Sequence, residues 1–342
     1  MLKKKVIYLL LILAPALKGQ DIHFSLFNEM PININPALLG IKEHKMQAGV
    51  LYRNQWNSVA SPFNSTGAFG EYRWEPTKFL QGHTFGFGLQ FLNDISGGGA
   101  LQKNQLAGAV NYIKPLGKKK QHLVAGALKL MYFQRSVDVT NLAFASDFNY
   151  ANGSFTSVGG NEELSGIKNN TSTMDLGLGL SYTYFNKKGK ATTAGLSFDH
   201  LTQPNISFDN GDEVLSLKTG FYVISNFDLG KKASLKPTLL YNNQQEASFF
   251  IAGTEMIYPV GRALLENTDI RIGMYYRVDD AVYFTFGINH DNWSILFAYD
   301  FTTSNLGEAA QNVNAFEICI NIRNRLFQPN KIKYIIPGNR FF

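Results

Sequence analysis

The sequence predicts an all-β protein, a transmembrane antiparallel barrel of about fourteen strands, and three observations carry that reading. Apolar and polar residues alternate with period two over segments of about ten residues. The composition joins 13% aromatic residues and 31 glycines to only 17% charged residues. Beyond residue 19, no apolar run approaches the eighteen or so residues that a membrane helix needs.

The alternation has an inside-out character. In DLGLGLSYTY, Leu176, Leu178, Leu180, Tyr182 and Tyr184 share one face, opposite Asp175, Gly177, Gly179, Ser181 and Thr183. TFGFGLQF sets Phe85, Phe87, Leu89 and Phe91 against Thr84, Gly86, Gly88 and Gln90. YFTFGIN (283–289) and FEICINIR (316–323) repeat the pattern. A soluble sandwich also alternates, but its outer face is rich in Lys and Glu and its inner face mixes sizes to interlock with a second sheet. Here one face is uniformly large and aromatic and the other is Gly, Ser, Thr and Asn with a few charges, as expected for lipid outside and a polar lumen inside.

Strands of this kind fall at 45–56, 64–75, 83–93, 103–114, 121–133, 173–185, 191–201, 214–227, 232–243, 247–258, 268–277, 280–289, 293–302 and 313–323. An even count puts both ends of the barrel on the periplasmic side. The turns test the parity. PLGKKK (115–120), NKKGK (186–190) and LGKK (229–232) then face the periplasm and are short and lysine-rich, while the long 134–172 connection faces outward. A miscount by one strand would reverse that assignment.

The chain divides into four parts. Residues 1–19 read as a cleaved export signal: Lys3, Lys4 and Lys5, then VIYLLLILAPAL, then the small residue Gly19. Residues 20–44 form a plug-like segment, 45–323 the barrel, and 324–342 a tail expected, with the opening segment, to plug or line the periplasmic side. The formal charge of +6 includes four lysines of the signal, so the remainder is near +2 and gives no argument for nucleic acid. The single cysteine, Cys319, has no internal disulfide partner, and no Cys/His spacing suits a metal.

Inward-facing charges are expected at Arg53, Glu71, Arg73, Lys129, Asp175, Lys218, Lys236, Glu255, Arg271, Asp300, Glu317 and Arg323. They suit either a selective pore or an ion-pair network that fills the interior. Catalysis would require a nucleophile, a base and an orienting group that converge. The six histidines are scattered, and no Gly-x-Ser-x-Gly elbow occurs, so no catalytic or cofactor-binding residue is assigned. The lysine-rich turns read either as ordinary polar turns or as a docking surface for an acidic periplasmic partner. The polar 134–172 loop suits recognition or simple solvation.

The order of motifs resembles the PorP/SprF family of type IX secretion and gliding-associated outer membrane proteins. The matching pieces include QDIHFSLFNEMPININPALLG (20–40), YRNQW (52–56), NDISGG, YIKPLG, LAFASDFN, HLTQPNISF (200–208), KPTLLY, MYYRVDDAVYFTFGIN and AYDFTTSNLG. The most specific are Asn35-Pro36-Ala37 followed by Arg53, Gln55 and Trp56, then Gln203-Pro204-Asn205. Two departures stand out: no cysteine lies near the last proline, and FNEM (27–30) is more acidic than the usual aromatic-rich version. The resemblance implies a non-enzymatic barrel in the outer membrane of Bacteroidetes-type bacteria, without a cofactor. It would support secretion and surface anchoring of adhesins bearing a C-terminal signal domain, with periplasmic type IX secretion components and outer membrane lipid as further partners. A competing likeness is to long-chain fatty acid transporters, which share the strand number and an N-terminal hatch with an Asn-Pro-Ala turn.

The segment MPININPALLG has two prolines and two asparagines among four Ile/Leu residues, so a regular helix or central strand is not expected. Unpaired backbone at membrane depth must be buried in protein or face water. The segment is therefore expected to tuck into the periplasmic end. There Asn33 and Asn35 would hydrogen-bond, Pro36 would fix the turn, and Ile32, Ile34, Leu38 and Leu39 would pack on the inner wall. Arg53 and Gln55 would close the lumen from the other end.

Overall fold

A computed structural model describes residues 21–325 except 43, 57–61, 78–79, 81, 97–99, 118–119, 139–147, 150–153, 156–167, 210, 231–232, 261–266 and 305–313. The expected signal lies outside the described residues, and so does the expected tail beyond Arg325, its first two positions belonging to the last strand.

Fourteen long strands form the barrel: β1 His44–Gln55, β2 Phe63–Trp74, β3 Thr84–Ser96, β4 Leu101–Leu116, β5 His122–Val137, β6 Asn170–Phe185 and β7 Ala191–Asp199, then β8 Lys218–Ser225, β9 Ala233–Gln244, β10 Ala247–Pro259, β11 Thr268–Arg277, β12 Ala281–His290, β13 Trp293–Thr302 and β14 Ala315–Arg325. Each pairs antiparallel with its sequence neighbour, and β1 closes on β14 with Val50 opposite Ile320. Phe227–Leu229 pairs with the start of β9, and a small hairpin, Phe148–Asn149 with Ser154–Phe155, lies between β5 and β6.

The expected inversion of polarity holds. Outward Leu89, Leu128 and Ile322 are 65%, 67% and 63% exposed, whereas inward Asp175, Arg271 and Glu255 are 0–2% exposed. No lipid-facing charge interrupts the apolar bands of β6 or β12. Aromatic rings gather at both rims, with Trp74, Phe85 and Tyr112 in contact at one end and Tyr299 with Phe301 at the other. The end carrying turns such as 186–190 and 291–292 is periplasmic by the short-turn rule, and the end carrying 138–169, 200–217 and 303–314 is the outer one.

Strands β4, β5 and β6 run beyond their expected outer limits. Extra residues such as Gln102, Gln134 and Ser136 are polar although they continue the outward face, because a strand above the lipid needs no apolar side. The ladder continues there although the alternation that betrays it stops. In contrast, β8 begins only at Lys218, because Leu215 leaves the wall and donates its N–H to the Pro204 carbonyl.

Residues 21–42 run down the interior, from the outer rim beside His200 and Lys218 to the periplasmic rim beside Arg73. Residues 31–42 line the periplasmic half as expected. The upper part extends further than the sequence reading: it reaches the outer mouth. A second difference concerns local structure. Pro31–Ile34 is one helical turn and Pro36–Leu38 a 3-10 turn. Each starts at a proline, where the missing N–H has no intrahelical role and the fixed φ suits the helix.

The plug also creates the core. Its Ile34, Ala37, Leu38 and Ile41 pack with Ile113, Leu123, Phe185 and Leu240. Higher up, Phe24, Leu26 and Met30 pack with Leu51, Leu92 and Leu296. Ile32 and Leu39 meet Ala107 and Met131.

Candidate functional site: the plug seat and the outer mouth

Four polar stations hold the plug. The lowest is built on Asn35. Its amide donates to the carbonyls of Leu196 (2.8 Å) and Leu180 (3.2 Å) on adjoining strands, and its Oδ1 accepts from the Ala37 N–H at 2.8 Å. From β4, Asn111 donates to the Ala37 and Leu39 carbonyls at 2.9 and 2.8 Å. Pro36 starts the 3-10 turn that presents both. Inward glycines make the room: a Cβ on Gly88 would meet Leu39 and Ile32 at 2.7–2.8 Å.

The second station joins plug and wall through charge. Arg271 donates two parallel hydrogen bonds to Glu255 (2.8 and 3.0 Å) and reaches Glu29 of the plug at 2.8 Å. Asn321 donates to the other Glu29 oxygen at 2.8 Å. Lys236 lies 3.8 Å from Glu255, and Lys42 lies 3.7 Å from Glu71.

At the third station Glu317 accepts two successive plug N–H groups, Ser25 at 2.6 Å and Leu26 at 2.7 Å, while pairing with Arg53. The Ser25 hydroxyl donates to Asp300 (2.7 Å) and accepts from Arg53 (3.0 Å) and Arg277 (2.9 Å). Every charge here has an opposite partner within hydrogen-bond reach, which an interior of this kind requires.

The fourth lies at the outer mouth. Asp21 reaches Lys218 at 2.9 Å and His200 Nε2 at 3.0 Å, and His200 Nδ1 lies 2.6 Å from Asp175. Burial by itself would lower the His200 imidazole. The Asp21 charge and the hydrogen bonds to Asp175 and Asp21 outweigh it and raise the group to about 9. Both ring nitrogens are engaged by carboxylates, so the imidazole has no free site from which to activate a nucleophile. Among the described residues, no three His, Cys, Asp or Glu side chains converge as a metal site requires.

The structure thus gathers Arg53, Glu71, Glu255, Arg271, Asp300 and Glu317 around the plug, and Lys129 pairs with Asp199 at 2.6 Å. Arg73 binds Glu75 and the Lys42 carbonyl, at the foot of the plug. Arg323 turns to the Asp291 and Trp293 carbonyls at the periplasmic rim. Gln55 accepts from Arg53 at 3.4 Å, and Trp56 packs edge-on against Phe63. The expectation that Arg53 and Gln55 close a separate outer gate changes, because the plug itself reaches Arg53. Gln203, Pro204 and Asn205 stand apart from Asn35, Pro36 and Ala37. They shape the outer loop, where Asn205 donates to the Gly211 carbonyl at 3.0 Å.

Sequence reading missed Asp21, Ser25, Glu29, Asn111, His200, Arg277 and Asn321. The inward parity of Asn111, Arg277 and Asn321 was available from the alternation. Glu29 had been visible only as an unusual acid in FNEM, and its partner Arg271 lies far away in sequence.

The model of a family described as type IX secretion system membrane protein PorP/SprF matches residues 16–322. No curated protein matches the chain with significance. Among solved structures, the toluene transporter TbuX of Ralstonia pickettii is 12% identical, with 86% of this chain and 93% of that one covered and a TM-score of 0.50. The toluene transporter TodX of P. putida gives the same identity, coverage and score. The deltaS2S3 mutant of the TodX monoaromatic hydrocarbon channel gives 13% identity, 86% and 94% coverage and a TM-score of 0.54. At these identities the likeness is one of fold, an outer membrane barrel.

Proposed function

The chain belongs to the PorP/SprF family of type IX secretion system membrane proteins, and from that premise we propose that it is a non-catalytic partner barrel of the secretion and gliding machinery. In this reading it supports export and surface anchoring of adhesins that carry a C-terminal signal domain. The observation that carries the proposal is the plug. Residues 24–42 are buried inside the barrel apart from half-buried Asn33. They are tied to the wall at both rims and between them. A filled lumen with every station charge-matched suits a protein that works through its end surfaces. The outer loops would meet the cargo, and the turns at 117–121 and 186–190 would face periplasmic components.

The test is a gene deletion followed by surface proteomics, with affinity capture of the tagged barrel from outer membranes. Loss of a defined adhesin from the surface, and its recovery with the barrel, is expected. A deletion strain whose surface proteins all stay in place ends the proposal.

A second reading, a channel for hydrophobic solutes, is favoured by the fold neighbours and by the apolar hollows at the outer mouth. Fatty acid or toluene uptake into liposomes bearing the purified barrel separates the two. Clear uptake supports the channel.

A further inference from the structure

The plug leaves two hollows at the outer mouth, one on each side of Asp21 and Ile22. In the first, Lys218 is already neutralised by Asp21. The second is different. It opens between the plug, the barrel wall and the outer loop at the mouth of the barrel.

Three separate parts of the chain build it. Ile22 of the plug forms the floor, inward residues of β4 and β5 (Lys103, Phe133 and Arg135) form the wall, and Ile206 and Leu215 of the outer loop form the roof. The loop is fixed over the cavity by the Asn205–Val214 bridge and by Arg135, which donates to the Ile206 carbonyl at 3.1 Å.

The hollow is asymmetric. Ile22, Phe133, Ile206 and Leu215 give it an apolar side. Opposite them lie two cations with unfilled capacity. Arg135 bonds Glu213 through Nη1 at 3.3 Å and stacks on Phe208, yet its buried Nε–H has no hydrogen-bond acceptor. Lys103 stands opposite Asp94 in the β3–β4 register, but Asp94 accepts from Ser65 at 2.5 Å. Among the described residues, no carboxylate lies within ion-pair distance of Lys103. Of the two carboxylates that line the hollow, Asp21 is committed to Lys218 and His200 and Glu213 to Arg135 Nη1. A buried donor without an acceptor is costly, and a cation beside an apolar wall suits a ligand that carries one negative charge on an apolar body.

We propose that this hollow binds a small monocarboxylic acid. Its carboxylate would be held by Lys103 and the Arg135 Nε–H, and its alkyl or aryl part would lie against Ile22, Phe133, Ile206 and Leu215. The site is independent of the secretion role.

The test uses the full chain in lipid nanodiscs with octanoate and octanol as probes, followed by equilibrium dialysis against empty nanodiscs. Saturable octanoate binding is expected, at least about tenfold tighter than octanol and weakened about tenfold by Lys103→Gln, since one charge-assisted hydrogen bond is at stake. Lys103→Arg should keep most of the binding. Heat-dependent migration on gels verifies that each variant is folded. Equal binding of octanol, or binding that survives Lys103→Gln, overturns the site. Equal loss in Lys103→Gln and Lys103→Arg overturns it too, because packing rather than charge would then be responsible.

Discussion

Asn35 occupies the space that a side chain at position 179 would need: a Cβ built on Gly179 falls on the Asn35 Oδ1. The plug residue and the wall glycine lie 144 positions apart and are shaped for one another. The Asn35 amide bridges Leu180 and Leu196, which face each other in the β6–β7 register.

Gly179→Val is therefore expected to unseat the Asn-Pro-Ala turn while leaving the barrel wall intact. Overpacking of this kind costs about 1–3 kcal/mol. Asn35→Ala should weaken the same seat by a similar amount, because it leaves buried groups without their partner. Hydrogen exchange of residues 31–42 reads the effect. Unchanged protection in Gly179→Val would count against a fitted seat.

Arg271 serves two carboxylates at once, one on the plug and one on the wall. Arg271→Met should destabilise the folded barrel by about 3–5 kcal/mol, since it strands buried charge. Adding Glu29→Gln should recover part of the loss. A lower unfolding temperature on heated gels in the single variant, with partial return in the double, is the expected pattern.

The outer latch should depend on pH. His200 is raised from 6.5 to about 9, so its contribution is complete below pH 6.5 and disappears as pH climbs through about 9. Asp21 moves the other way. Burial opposes it, but Lys218 and His200 hold it well below 3.8, so its contribution is present above 3.8 and is lost on strong acidification. Lys218 and Asp175 complete the set of charges facing the imidazole. Hydrogen-exchange protection at residues 21–26, relative to the intrinsic rate, should thus be greatest near pH 6 and fall between pH 7 and 10. In His200→Gln that fall should vanish.

Removing residues 21–42 should convert a closed barrel into a conducting one. Planar bilayers containing the intact chain are expected to stay silent, and the deletion variant should show steady openings. Equal conductance from both would mean that the plug does not seal the lumen.

Much of the fold was legible in the chain itself. Because strand side chains alternate with period two and lipid reverses the usual polarity, the outward Leu176–Leu178–Leu180 stripe and the inward Asp175–Gly177–Gly179 stripe made the barrel legible, and counting such segments gave its fourteen strands. The same parity placed Arg53, Glu255, Arg271 and Glu317 inside. It could not pair them, because partners such as Glu29 and Arg271 are joined only when the barrel closes. Plug residues have no period to read, since their backbone follows the shape of the lumen rather than a ladder. For that reason the helical turns at Pro31 and Pro36, the reach of Asp21 to His200 and the hollow beside Lys103 were decided by tertiary structure alone. Each depends on several distant segments meeting in a space whose walls exist only after closure.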